Sequence, residues 1–233
     1  MKLGTGFQMK KNILVVNSGW MDHLYYGRPF NRFGNVTDEL ALIDRNPESI
    51  RCAVFTGGSD VDPSMYGHKK LPLTGSDIKR DHHEKAVFDK LLKNDIPMFG
   101  ICRGSQFLCA MAGGTLVQHM FHPSRHDLRI LRDGREELSG DEQRVIAVNS
   151  THHQMQVPPE GAEVIAVAEP RMSYTYDYAG EKPDFKPEYE YEVVYYPNIK
   201  ALGAQYHPEV MPEESEGFLY YQELLEHFMD EQS

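Results

Sequence analysis

The stretch IPMFGICRGSQFLCAMA, residues 96 to 112, decides how this chain reads. An apolar run of strand character, IPMFGI, leads straight into Cys102, and SQFLCAMA beyond it has helical character. Gly100 and Gly104 stand two residues to either side of the cysteine. Small residues at those positions permit a sharp, strained strand-to-helix turn that holds a nucleophile out from the carboxyl edge of a sheet. A helix N-terminus beneath the thiol also favours its ionised form, which matters because a free cysteine titrates near ~8.5. The competing reading is a buried, inert cysteine in an ordinary βα turn, but both glycines in this context favour the nucleophile.

Working outward, continuous apolar or β-branched runs recur at residues 12–17, 52–58, 144–149, 162–168, 191–196 and 201–207. The early ones lack polar alternation, as expected of strands covered on both faces in a mainly parallel sheet. Between 52–58 and 96–101 lies DHHEKAVFDKLLKND, residues 81–95, where Val87 with Leu91 and Phe88 with Leu92 fall one helical turn apart. Asp81 is the expected N-cap. Strand, helix and strand form a βαβ unit, so the fold class is α/β with flanking helices. GFLYYQELLEHFM, residues 217–229, reads as an amphipathic closing helix, whereas residues 18–50 show no clear long helix. Residues 171–191, rich in tyrosine, proline and acids, read as a loop or hairpin excursion from a single domain spanning 1–233.

With 233 residues and a net charge of −11, the chain is long enough for a substantial core and has no basic stripe for a phosphate backbone. Nucleic acid is not an expected partner. No window approaches the roughly 20 apolar residues of a membrane span, and no signal-peptide pattern opens the chain. Three cysteines, an odd number, do not suggest a disulfide framework, so a reducing, cytoplasmic setting is expected. Cys52 and Cys109 belong in the core.

A cysteine that attacks an amide needs a base and donors for the developing oxyanion. His207 closes a predicted strand, and Glu209, across Pro208, is placed to orient its ring. Taken alone, H-P-E is as compatible with a surface turn. The amide of Arg103 follows the nucleophile, and Gly57-Gly58 at the end of a neighbouring strand offers a second amide without a side chain in the way. The Arg103 side chain either balances charge at the pocket mouth or is solvated. STHHQ, residues 150–154, is a loop or a pocket wall, with His152 or His153 reaching the substrate. His119, His122 and His126 have metal-like intervals, but no neighbouring cysteine or acid cluster completes a coordination sphere, so no metal is expected. His82 and His83 are expected to be exposed.

GICRGSQ, with TGGSDVDP upstream and YHPE near the end, resembles the class I glutamine amidotransferase superfamily. The run from residue 80 to 119, VNSTHHQ at 148–154 and GAQYHPE at 203–209 are most similar to its γ-glutamyl-γ-aminobutyrate hydrolase (peptidase C26) branch. The resemblance implies a flavodoxin-like fold and hydrolysis of a γ-glutamyl amide such as glutamine through a cysteine thioester. It implies Cys102 as nucleophile, His207 and Glu209 as its partners, Gly58 and Arg103 as oxyanion donors, and Gln106, beside Gly57, holding the glutamyl part. No cofactor is called for. Thr56 stands where many relatives have proline, and YEVVYY with the tyrosine-rich excursion replaces a shorter strand pair. The leading expectation is glutamine hydrolysis with ammonia passed to a separate acceptor enzyme. A stand-alone hydrolase of a γ-glutamyl conjugate is the alternative, followed by a catalytically silent interaction module; oligomerisation is open.

Overall fold

A computed structural model describes residues 11–16, 22–134, 136–139, 142–179 and 185–230. Its centre is a nine-stranded sheet. The strands are β1 (Asn12–Val16), β2 (Asn35–Thr37), β3 (Ile50–Phe55), β4 (Met98–Ile101), β5 (Arg125–Ile130), β6 (Val145–Asn149), β7 (Glu163–Glu169), β8 (Tyr191–Tyr196) and β9 (Ala201–Ala204). They lie in the order β6-β5-β7-β8-β9-β4-β3-β1-β2. Neighbours from β2 to β9 run parallel, and those from β9 out to β6 run antiparallel. The parallel part is the flavodoxin-like unit; the antiparallel strands extend it. Residue 17, placed in the first strand by the sequence, lies outside the described residues, as do 180–184 of the excursion and both chain ends.

Helix α1 (Ile78–Lys93) connects β3 to β4, and α2 (Arg103–Met111) follows β4 directly. The long helix near the end of the chain is α3 (Glu216–Asp230). Alternate residues of β1, β3 and β4 point to opposite faces, as the two-residue strand period requires. Leu14, Ala53, Phe55 and Met98 meet Val87, Phe88 and Leu91 of α1 and Phe107 and Leu108 of α2. Ile13, Val15, Val54 and Phe99 meet Phe30 and the α3 residues Tyr221, Leu224, Leu225 and Phe228. Leu92 is left 42% exposed, at the edge of the apolar stripe rather than within it.

The start of α1 corrects a sequence expectation. Asp77 is the N-cap, its carboxylate accepting from the amides of Lys79 at 3.0 Å and Arg80 at 3.3 Å. Asp81 lies inside the first turn, fully buried, and accepts instead from the amide of Asp62 at 2.9 Å. A carboxylate near a helix start reads in sequence like a cap, but the contacts of Asp81 with the Asp62 amide and the Arg103 guanidinium decide its place. Asp77→Ala is expected to destabilise the protein by about 1 kcal/mol, measured as a lowered urea midpoint at unchanged slope. The described part of the excursion is ordered against the body of the protein: Tyr176 and Asp177 pair antiparallel with Met120 and His119, and the rings of Tyr178 and Phe185 stack at 4.0 Å.

Candidate active site

The turn after β4 holds Cys102 at φ 53°, ψ −109°, a conformation that L side chains rarely adopt. Both flanking glycines are needed for the backbone to pass so closely. A Cβ on Gly100 would stand 2.5 Å from backbone atoms of Gly104 and Ser105, and one on Gly104 would stand 2.1 Å from the Phe55 carbonyl oxygen. The amide of Cys102 still donates to the Ala204 carbonyl at 2.7 Å, so the strained residue is tied into the sheet. Backbone strain of this kind, fixed by surrounding structure, collects where a side chain must be presented.

Cys102 lines a cleft of about 520 Å³ together with Gly58, Arg103, Gln106, His153 and His207. A methyl group placed on Gly57 would lie 3.3 Å from His207 Cε1 and 3.8 Å from Cys102 Cβ, so turn, thiol and imidazole converge. Nδ1 of His207 is 2.7 Å from Glu209 Oε1, and Glu209 is fully buried. Since a carboxylate only accepts, Nδ1 carries the proton and Nε2 faces the cleft. Burial disfavours the imidazolium, yet the charge and hydrogen bonding of Cys102, with those of Glu209, outweigh it and push His207 up to about 11. Its charge-linked stabilisation is full below the ordinary histidine value of about 6.5 and is lost as pH rises through the raised one.

Several partners escaped the sequence reading. Asn149 brackets the His207 backbone, accepting from its amide and donating to its carbonyl, each at 2.9 Å. Thr151 Oγ1 is 2.7 Å from His207 Nε2. Both belong to VNSTHHQ, so the motif was visible although these two roles were not. Tyr26 also lines the cleft, its phenol raised by burial and by the nearby charges of Glu209 and Cys102. The short segment that carries it has no sequence signal of its own.

The remaining candidates separate. Gln106 is buried and donates to the Gln154 carbonyl at 3.1 Å. His153 faces the cleft with Nε2 3.1 Å from Asp60 Oδ1, a hydrogen bond that raises its pKa against the opposing effect of burial. His152 also borders the cleft, but its side chain is 1% exposed and its Nε2 lies 3.4 Å from Glu192. The Arg103 side chain is neither solvated nor at the pocket mouth: it is buried and paired with Asp81 and Glu84. Its amide, at the first position of α2, is among the N-terminal donors a helix leaves unpaired. Cys52 and Cys109 are fully buried, and burial pushes the Cys109 thiol up to about 12. His82 and His83 are exposed.

The profile of the Peptidase C26 family matches residues 36–172, which include Cys102. The chain belongs to the Peptidase C26 family. This C26 chain is 41% identical over 121 residues to a protein of Mycobacterium tuberculosis provisionally named a glutamine amidotransferase, covering 48% of this chain and 39% of the relative. It is 29% identical over 171 residues to the γ-glutamyl-γ-aminobutyrate hydrolase of Escherichia coli, covering 65% of this chain and 60% of that enzyme. The chain thus spans less than two thirds of the length of either relative. In fold it is similar to the crystal structure of a glutamine amidotransferase from Thermotoga maritima, with TM-score 0.57, 17% identity and coverage of 96% of this chain and 97% of that one. At that identity the likeness shows the fold alone. No described helix of this C26 protein is long and apolar enough to cross a membrane.

Proposed function

We propose that this protein hydrolyses γ-glutamyl amides through a covalent thioester on Cys102. The observation that carries the reading is the strained thiol at the cleft, set against an imidazole whose far nitrogen is held by a buried carboxylate. Thiolate sulfur attacks the γ-carbonyl carbon, and the oxygen gathers charge against the amides of Gly58 and Arg103. The C–N bond then breaks, His207 gives its proton to the departing amine, and the glutamyl thioester remains. Water, losing a proton to the same imidazole, attacks the thioester and releases glutamate and the thiol. Gln106, Gly57 and the cleft wall at His153 position the substrate. The proposed steps need no cofactor.

Two leaving groups fit this chemistry. With glutamine the amine is ammonia, which a separate acceptor enzyme would consume. The second reading, a stand-alone hydrolase of a γ-glutamyl conjugate, is favoured by the wall formed by His153, Asp60, Leu73 and Gly75, which encloses space that ammonia does not require. Time-resolved NMR of the purified protein with glutamine, and separately with a panel of γ-glutamyl amines, distinguishes them. Release of glutamate from at least one substrate is expected, with none from Cys102→Ala. Preference for one conjugate by 10-fold or more over glutamine supports the second reading; equal or better use of glutamine supports the first. Turnover by Cys102→Ala overturns both.

A further inference from the structure

Behind the cleft wall, four side chains meet in the interior with their polar atoms poorly accounted for. His122 precedes β5, His126 lies on β5, His152 follows β6, and Glu192 lies on β8. Their side chains are 0–1% exposed. One oxygen, Glu192 Oε1, lies 3.4 Å from His122 Nε2, 3.4 Å from His152 Nε2 and 3.5 Å from His126 Nε2. His122 Nε2 is also 3.2 Å from His126 Nδ1.

Proton accounting makes this arrangement informative. His152 Nδ1 lies 2.8 Å from the Gln154 carbonyl oxygen, which can only accept, so Nδ1 carries the proton. In the neutral ring, Nε2 then turns a lone pair toward a carboxylate. The contacts of His126 and His152 with Glu192 are long, 3.5 and 3.4 Å, and fall short of good hydrogen-bond geometry, and His122 Nδ1 has no hydrogen-bond partner. Buried polar atoms without partners are rare because they have lost water and gained nothing. Tautomer choice can point His126 Nε2–H at the oxygen and His122 Nε2–H at His126 Nδ1, but only over 3.5 and 3.2 Å, and it leaves His152 Nε2 with a lone pair toward the carboxylate. A cation at the shared point engages them together.

The dimensions suit a transition metal. Bonds of about 2.0–2.1 Å to nitrogen and oxygen in a tetrahedron place ligand atoms about 3.3 Å apart, close to the 3.4 Å from Glu192 Oε1 to His122 and His152. Ligand atoms of His122, His152 and Glu192 all lie within 4.8 Å of one another. Imidazole and carboxylate together suit zinc-class ions rather than magnesium or calcium, which favour oxygen alone. The His152–Gln154 hydrogen bond is the kind of outer contact that fixes the tautomer of a ligating histidine.

We propose that His122, His152 and Glu192 bind one zinc-class divalent ion in the interior of this protein, with His126 packed beside the site. Its role is structural: it fastens the 150–154 segment, whose Thr151 and His153 face the cleft, to β8. The acid that seemed missing from the histidine intervals comes from a strand 66 residues beyond His126.

The test uses the full chain carrying Cys102→Ala, so that the cleft thiol cannot supply a ligand. Protein produced with added zinc and purified without chelator is expected to hold one ion per chain by plasma mass spectrometry, and cobalt(II) is expected to give the visible bands of a tetrahedral nitrogen-and-oxygen site. Glu192→Gln and His122→Gln, checked for folding by circular dichroism, are expected to weaken zinc binding at least 100-fold in competition with a chromophoric chelator. Metal content well below one per chain overturns the proposal, as does stoichiometric metal that survives both replacements. If neither variant folds, the cobalt spectrum of the parent decides: tetrahedral bands support the site and their absence overturns it.

Discussion

Cys102→Ala is expected to lower turnover of a γ-glutamyl amide by roughly 10⁴- to 10⁶-fold, the range found when a nucleophile is removed from a set of residues acting as a unit. The fold should persist, because the change removes only a sulfur that lines a cleft. Stability supplies an independent check on the elbow. Alanine retains a Cβ at φ 53° and therefore retains the strain, whereas glycine relieves it. Strain of about 1–3 kcal/mol, less the greater unfolded freedom of glycine, leaves Cys102→Gly more stable than Cys102→Ala by about 1 kcal/mol. Chemical denaturation of the two inactive variants measures this difference. A glycine variant less stable than the alanine one would mean that the turn stores no strain for presenting the nucleophile.

What the sequence revealed depended on how local each signal was. The strands at 50–55 and 98–101 are covered on both faces, so their apolar runs were continuous and legible. RHDLRI, residues 125–130, went unread although its inward positions alternate, because His126 occupies one inward place and charged residues fill the outward ones. His207 and Glu209 were recognisable as a pair because only Pro208 separates them and one short turn brings imidazole and carboxylate together. Glu192 was not recognisable: in YEVVYY it looks like the polar member of a strand, and its three histidines come from segments that only the antiparallel extension gathers around it. Arg103 was open to misreading for the opposite reason. Next to a nucleophile, an arginine suggests substrate charge, yet the carboxylates that claim it project from a helix on the same side of the sheet.

That claim carries the second large effect. Arg103 pairs with Glu84 and Asp81, and Glu84 also accepts from Arg80 Nε at 2.7 Å. Arg80 in turn donates to the carbonyls of Thr56 at 3.1 Å and Gly57 at 3.0 Å. This chain of charges joins the elbow to the glycine turn, the two segments whose amides are proposed to hold the oxyanion. Burial raises the Asp81 carboxyl even with Arg103 beside it, so its charge depends on that partner. Arg103→Met keeps much of the side-chain volume but leaves two buried carboxylates short of a cation, an expected loss of about 3–5 kcal/mol. Against a total of about 5–15 kcal/mol for an ordinary domain, that is a large fraction of the stability. Arg103→Met combined with Glu84→Gln removes one stranded charge and should recover part of the loss, which thermal or urea unfolding would show as non-additivity. Simple additivity of the two changes would mean that the ion pairs do not hold these segments together. Activity in the double variant separates the roles further: if the network only positions the two amides, kcat should fall more than KM rises, because those donors act on charge that exists chiefly in the transition state.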